Sequence, residues 1–241
     1  MSVNRFEITA LLICATPDVR VAETVSGRPV TVIIDIRENW ATETASSAAR
    51  SVIDHRRAET AAGPAVLRIG IPDDDFGQDA IGRLVALRPD GFVLSGCGGV
   101  ADVQRLDVML RVAEAEQGIE SGSIVVLAEV GRRPEFFLSG QSLRGVSDRL
   151  KAIVFDGAGL MHATASQAVN APAARAGAPL LLARAAVIIK ARQADLPCYD
   201  LLQEEYPSDD DMKTLRNISL ADGFSGLVVR TASQLATLTT A

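Results

Sequence analysis

Apolar positions in this chain gather in short runs at regular intervals. Eight runs rich in Val, Ile and Leu fall at Ala10–Ala15, Val30–Ile36, Ala65–Ile71, Gly91–Leu94, Ile124–Val130, Ala152–Phe155, Pro197–Leu202 and Gly226–Val229. Several lack strict alternation of apolar and polar residues, the pattern of strands covered on both faces. Most of the intervals between them carry helical spacing. Ala41, Ala45, Ala48 and Val52 share one stripe, and Val103, Leu106, Leu110 and Ala113 share another. Ser208 followed by Asp211 reads as a cap for a helix holding Met212, Leu215 and Ile218. Strand alternating with helix eight times predicts an α/β chain folded as one (β/α)8 barrel of the TIM type over residues 1–241. The site of such a barrel lies at the carboxyl ends of its strands. A doubly wound open sheet is the competing arrangement. No linker, low-complexity segment or repeat interrupts the rhythm, and Asp73-Asp74-Asp75 reads as a solvated turn.

Composition narrows the partners more than the fold. With 241 residues, 48% of them hydrophobic, the chain can bury a sizeable core. A net charge of −6 argues against a broad nucleic-acid surface, and 4% aromatics argue against base-stacking platforms. The stretch Ile8–Ala15 is too short to span a bilayer and reads as the first strand, so no membrane partner is expected. Cys14, Cys97 and Cys198 are far apart and odd in number. Each lies in or beside an apolar run and reads as a buried free thiol, which fits a cytoplasmic protein.

Candidate chemistry begins with an arginine inside a strand. Arg68 sits at the centre of Ala65-Val66-Leu67-Arg68-Ile69-Gly70-Ile71, where a guanidinium needs an anion to offset its desolvation. The other strand ends offer Asp35 inside the second run and Glu38 after it, Glu129 on the fifth and Asp156 after the sixth. Several acids around one arginine suit a metal-bound substrate that carries a carboxylate. Each residue also has a purely structural reading. Arg68 can pair with Asp35 or Glu129 inside the barrel, Glu129 can serve a helix entry, and Asp156 can be an ordinary turn residue.

The order of the motifs is itself informative. Ile34-Asp35-Ile36-Arg37-Glu38-Asn39-Trp40 ends the second run, with Ala49-Arg50 downstream; Leu67-Arg68-Ile69-Gly70 and Ala128-Glu129-Val130 follow. Leu150-Lys151-Ala152-Ile153-Val154-Phe155-Asp156-Gly157-Ala158-Gly159-Leu160 comes next, then Leu182-Ala183-Arg184, Leu196-Pro197-Cys198-Tyr199-Asp200 and Gly223-Phe224-Ser225-Gly226. In this order the chain resembles the citrate lyase β-subunit branch of the HpcH/HpaI aldolase family, from roughly Ala10 to Leu235. The resemblance implies Mg²⁺-dependent carbon–carbon cleavage of a hydroxyacyl-CoA thioester or a related 2-oxo acid. It implies that Arg68 binds the small-molecule carboxylate and that Arg68 and Glu38 act in catalysis; Arg37, which departs from the family pattern, is a further candidate for substrate binding. Glu129 is the metal ligand it carries over, Asp156 is the nearby carboxylate expected to compensate for the second ligand, and a homo-oligomer, a trimer or a multiple of it, is the implied assembly.

Several positions depart from the family pattern. The family's second metal-binding Asp is Gly159, which weakens the expected Mg²⁺ site. One member of the acidic pair after the second strand is Arg37, the family's Pro-Lys after the fourth is Ser95-Gly96, and its Ile-His-Pro after the eighth is Val229-Arg230-Thr231. The family's further C-terminal helix is expected to be missing. Three functions therefore remain open: a divergent lyase, a non-catalytic barrel that binds a ligand or serves as a scaffolding subunit, and a metal-free enzyme in which Arg37 and Arg68 bind a diacid.

Overall fold

The computed structural model describes residues 11–15, 25, 30–59, 62–72, 77–165, 177–203 and 208–239. Eight strands form: β1 Leu11–Ala15, β2 Thr31–Asp35, β3 Ala65–Ile69, β4 Gly91–Ser95, β5 Val125–Val130, β6 Leu150–Phe155, β7 Cys198–Leu201 and β8 Gly226–Val229. Every strand pairs in parallel with the next, and β8 returns to β1 through Leu11–Leu227, Leu12–Val228 and Ile13–Val229, which closes the ring. The expectation of an α/β fold with a parallel sheet holds, and the open-sheet alternative falls.

Helices follow β2 to β8: α1 Glu43–Ala58, α2 Gly77–Val85, α3 Val100–Glu116, α4 Glu135–Leu138, α5 Gly157–Ala163, α6 Ala178–Gln193, α7 Asp209–Asp222 and α8 Ala232–Thr239. Most of the connection between β1 and β2 lies outside the described residues, as do Asp73-Asp74-Asp75 and the side chain of Cys14. The fifth interval holds a single helical turn, α4, rather than a full crossover helix. Among the described residues, no helix is long and apolar enough to cross a membrane.

Local chemistry sets the helix ends. Thr42 caps α1 by accepting from the Ala45 N–H at 3.3 Å. Ser208 caps α7 by accepting from the Asp211 N–H at 3.1 Å, and its hydroxyl donates to the Asp211 carboxylate at 2.6 Å. Gly223 then ends α7 with φ 109°, a left-handed turn that glycine adopts without a steric cost.

The core divides into two layers. Ile33, Val66, Val93, Val125, Leu127, Ala152, Val154, Tyr199, Leu201 and Val228 fill the barrel interior. The strand residues of opposite parity, with the buried faces of the helices, form the larger outer layer. At the amino-terminal end Arg149 is buried and anchored by Asp107 at 2.7 Å and by both oxygens of Glu114 at 2.5 and 2.6 Å. Glu114 in turn accepts the N–H groups of Gly122 and Ile124. A charge cluster satisfied in this way fixes the loop that leads into β5.

Candidate functional site

Strand parity builds the site. Side chains two residues apart on a strand share a face, so the residue two beyond an interior position points inward one layer higher. From Ile33, Val66, Val93, Leu127, Val154 and Val228 this rule leads to Asp35, Arg68, Ser95, Glu129, Asp156 and Arg230. An apolar barrel interior is thus capped at its carboxyl end by six polar or charged residues from six strands.

One irregularity is needed to complete this layer. Val126 pairs with Leu150 while Leu127 pairs with Ala152, so β6 carries an extra residue, Lys151, against β5. Leu150 packs in the outer layer and Ala152 in the interior. The bulge therefore resets the parity of β6 and brings Asp156 to the inward side.

Arg68 is the centre of the layer and only 1% exposed. Its Nε and Nη2 donate to Glu129 Oε2 and Oε1 at 2.6 and 2.5 Å, a two-point fork, and Nη1 donates to Asp35 Oδ2 at 2.6 Å. Ser95, which lies opposite Glu129 in the sheet register, donates its hydroxyl to Glu129 Oε1 at 2.6 Å. Three arginine donors are therefore committed to protein carboxylates. The structural pairing open in the sequence is realised with both Asp35 and Glu129 at once.

Asp156 lies beside this cluster. Its Oδ1 accepts from the Gly159 N–H at 2.8 Å, capping α5, and its Oδ2 is 3.6 Å from Arg132 Nε. Burial pushes the Asp156 carboxyl above its ordinary value and the negative charge of Glu129 adds to the effect, while the Gly159 N–H, Arg68 and Arg132 oppose it. Gly131 allows the loop after β5 to approach, because a Cβ there would be driven into the Asp156 backbone carbonyl. A Cβ at Gly159 would collide with the Asp156 carboxylate and with Arg132 Cγ. The Asp156 carboxylate thus fills space that a side chain at position 159 would need.

Arg37 and Glu38 lie outside the buried layer, on the turn after β2. They line a cleft of about 700 Å³ with Asp35, Asn39, Thr42, Thr44 and Arg230 over an apolar floor of Ile36, Ala45 and Ala48. Arg37 donates its N–H to Asp35 Oδ1 at 3.3 Å, and its Nε is 3.6 Å from Asp35 Oδ2. Arg230 Nη2 approaches the same oxygen at 4.0 Å. Glu38 is exposed to solvent at the edge of this cleft.

Glu129 and Asp156, the two carboxylates expected as metal ligands, come together at the mouth, where both Glu129 oxygens accept from Arg68 and Ser95 and Asp156 Oδ1 accepts from the Gly159 N–H. The negative charge of Glu129 raises the electrostatic cost of ionising Asp156, a cost that a divalent ion between them would relieve. Among the described residues, no three His, Cys, Asp or Glu side chains converge into a metal cage. A pair of carboxylates is the protein contribution that Mg²⁺ commonly takes, with substrate and water oxygens completing its shell.

The two described cysteines, Cys97 and Cys198, are buried free thiols. Cys97, in the turn after β4, is buried and its thiol is pushed up to about 12 by burial. Cys198 is likewise a buried free thiol shifted upward by burial. A protonated thiol is unreactive at neutral pH.

Sequence reasoning did not assign Ser95, Arg132 or Arg230 to the site. The parity rule finds Ser95 and Arg230 once the interior residues are known. Arg132 follows β5 in a loop, where no strand period applies.

No protein-family model matches the sequence, and no curated protein matches it. Solved structures do. Haloferax volcanii malate synthase in its magnesium/glyoxylate complex superposes with a TM-score of 0.79 at 16% identity, over 100% of this chain and 76% of that one. An HpcH/HpaI aldolase/citrate lyase family protein from Burkholderia cenocepacia gives 0.68 at 12% identity, over 97% and 92%. RipC from Yersinia pestis gives 0.68 at 18% identity, over 97% and 94%. The chain has the fold shared by the malate synthase, citrate lyase and HpcH/HpaI aldolase proteins.

Proposed function

We propose that this chain is a divergent member of the HpcH/HpaI aldolase and citrate lyase family, with a complete (β/α)8 barrel and carbon–carbon bond cleavage as its class of reaction. Its ligand is a small 2-oxo or hydroxyacyl carboxylate, free or as a CoA thioester. One observation carries the reading: among the described residues, Asp35, Arg68, Ser95, Glu129, Asp156 and Arg230 cap a mainly apolar interior at the end where barrel sites lie. Ionic groups are a costly way to close a barrel, and apolar side chains would close it more cheaply.

Glu129 and Asp156 would hold Mg²⁺. The ion would supply Lewis-acid polarisation of a substrate oxygen. Arg68 holds Glu129 and Asp35 in a fixed arrangement and places positive charge where an oxyanion would develop. Glu38, exposed at the rim of the cleft, is the group available to carry a proton to or from solvent. Self-association belongs to the same reading. The exposed apolar side chains of α4 and α6, among them Leu138 and Ile189, are the surface we assign to it.

A second reading, a barrel that binds its ligand without turnover, has one observation in its favour. Both Glu129 oxygens already accept hydrogen bonds from Arg68 and Ser95. Incubation with citramalyl-, malyl- and citryl-CoA in the presence of Mg²⁺ separates the two. Cleavage of at least one thioester that is abolished by Glu129→Gln is the expected result. Binding without cleavage would establish the second reading, and neither binding nor cleavage would overturn both.

A further inference from the structure

The arginine pair Arg132-Arg133 follows β5, and it meets the glycine-rich turn Ser95-Gly96-Cys97-Gly98-Gly99 at the carboxyl end of the barrel. Arg133 clasps the two together. Its Nη1 donates to Asp102 Oδ2 at 3.3 Å, and the same oxygen accepts the Gly98 N–H at 2.7 Å. The Cys97 N–H donates to the Glu129 carbonyl at 2.8 Å, and the Asp156 N–H donates to the Val130 carbonyl at 2.8 Å. Gly131, between these anchors, has φ 155° and no room for a Cβ against the Asp156 carbonyl. The root of Arg132 is therefore fixed on both sides.

The Arg132 side chain runs across the mouth. A Cβ at Gly159 would come within 2.9 Å of Arg132 Cγ, and one at Gly96 would lie 3.6 Å from its Cδ. The stem thus passes between the turn after β4 and the start of α5, and it brings Nε to 3.6 Å from Asp156 Oδ2. Among the described residues the guanidinium makes no hydrogen bond, and the side chain is 48% exposed. Arg68 is the opposite case. It is buried, and its Nε, Nη1 and Nη2 all donate to Glu129 or Asp35. It cannot turn to a ligand without breaking short ionic hydrogen bonds in a buried layer. Arg132, beside that layer with its donors uncommitted, can.

We propose that Arg132 is the guanidinium that receives the carboxylate of a small 2-oxo acid at the barrel mouth. This proposal rests on the reading of the mouth as a carboxylate site, and it names the residue that meets the ligand there, a role the family resemblance implies for Arg68. Arg68 instead holds Glu129 and Asp35 in place. A planar guanidinium matches a carboxylate through two parallel hydrogen bonds. Asp156 keeps the Arg132 guanidinium at the mouth by charge, at a separation that ties up none of its N–H groups. A solvated surface arginine would need neither the glycine before it nor the glycine at position 159 that makes room for its stem. Arg37, the other partly exposed arginine near the layer, is drawn to Asp35 on β2. β2 stands four strands from β6, so Arg37 lies on the opposite side of the ring from Asp156.

Calorimetry of the full chain with pyruvate and Mg²⁺ tests this. Arg132→Gln should weaken pyruvate binding roughly ten- to hundredfold, the range for one charge-assisted contact. Arg132→Lys, which keeps the charge and loses the fork, should weaken it less. Phenylglyoxal labelling of the unmodified chain, read by mass spectrometry, gives a second readout without any substitution. Pyruvate should slow the modification of Arg132 and leave that of Arg111, exposed on α3, unchanged. Pyruvate bound as tightly by Arg132→Gln as by the unmodified chain would overturn the assignment while leaving the carboxylate site intact. Labelling of Arg132 at the same rate with and without pyruvate would do the same. A loss of affinity confined to Arg37→Gln would move the contact to the cleft after β2 and also overturn it. If the unmodified chain binds no pyruvate, the carboxylate site itself fails and the role of Arg132 with it.

Discussion

Arg68 is buried and held by three short hydrogen bonds to Glu129 and Asp35. Removing the guanidinium leaves two buried carboxylates without their counter-charge, so Arg68→Ala should cost about 3–5 kcal/mol in denaturant unfolding. An unchanged unfolding midpoint would show that the network is not formed. Asp156 gives a separate signature in pH. Its carboxyl binds a proton more tightly in the folded chain than in the unfolded one, because burial and Glu129 disfavour the charge. Its contribution to stability is therefore most favourable at low pH. It declines as pH rises from the ordinary carboxylate value to the raised one, and is constant above that. The stability difference between the unmodified chain and Asp156→Asn should accordingly fall with rising pH across the mildly acidic range. A difference that grows with pH would reverse the assignment. Arg68, Glu129 and Asp156 were legible in the sequence because each lies in or at the end of an apolar run. Their arrangement was not, because the register of β6 against β5 depends on a bulge at Lys151 that no local composition signals.

At the scale of elements, the runs of Val, Ile and Leu located all eight strands to within a few residues, since strands buried on both faces leave little room for polar residues. Helices were read less evenly. Val103, Leu106, Leu110 and Ala113 are buried along α3 as their spacing predicts. In α1 the buried stripe is Ala45, Ala49, Val52 and Ile53 instead, with Arg56 on the same face. The helix begins only after its Thr42 cap, which leaves Ala41 outside it and Ala48 on the wall of the cleft. The cap of α7 was legible in full. Ser208→Ala should destabilise the chain by about 1 kcal/mol, measured as a shift in thermal or denaturant unfolding. Loss of less than a few tenths would mean that Asp209, Asp210 and Asp211 sustain the α7 amino terminus alone.

Across the whole molecule, polar chemistry is divided between the barrel's two ends. The Arg149–Glu114–Asp107 cluster at the amino-terminal end is satisfied internally and anchors a loop. The layer at the carboxyl end opens beside the cleft lined by Arg37, Glu38 and Arg230. The outer helices expose Leu138, Leu181, Leu182 and Ile189 on α4 and α6, apolar surface that a second copy would cover. Light scattering at micromolar concentration should give a mass that is a multiple of 25.5 kDa, with three or a multiple of three copies expected. A mass of one chain would contradict self-association.

The central claim, that the carboxyl end of the barrel holds a small carboxylate through the Arg68–Glu129–Asp156 layer, is tested most directly by titrating pyruvate into the chain with and without Mg²⁺, beside a Glu129→Gln variant. The account predicts binding that Mg²⁺ strengthens in the unmodified chain and that Glu129→Gln makes insensitive to Mg²⁺. No detectable pyruvate binding in either condition, or Mg²⁺ dependence that persists in Glu129→Gln, would contradict it.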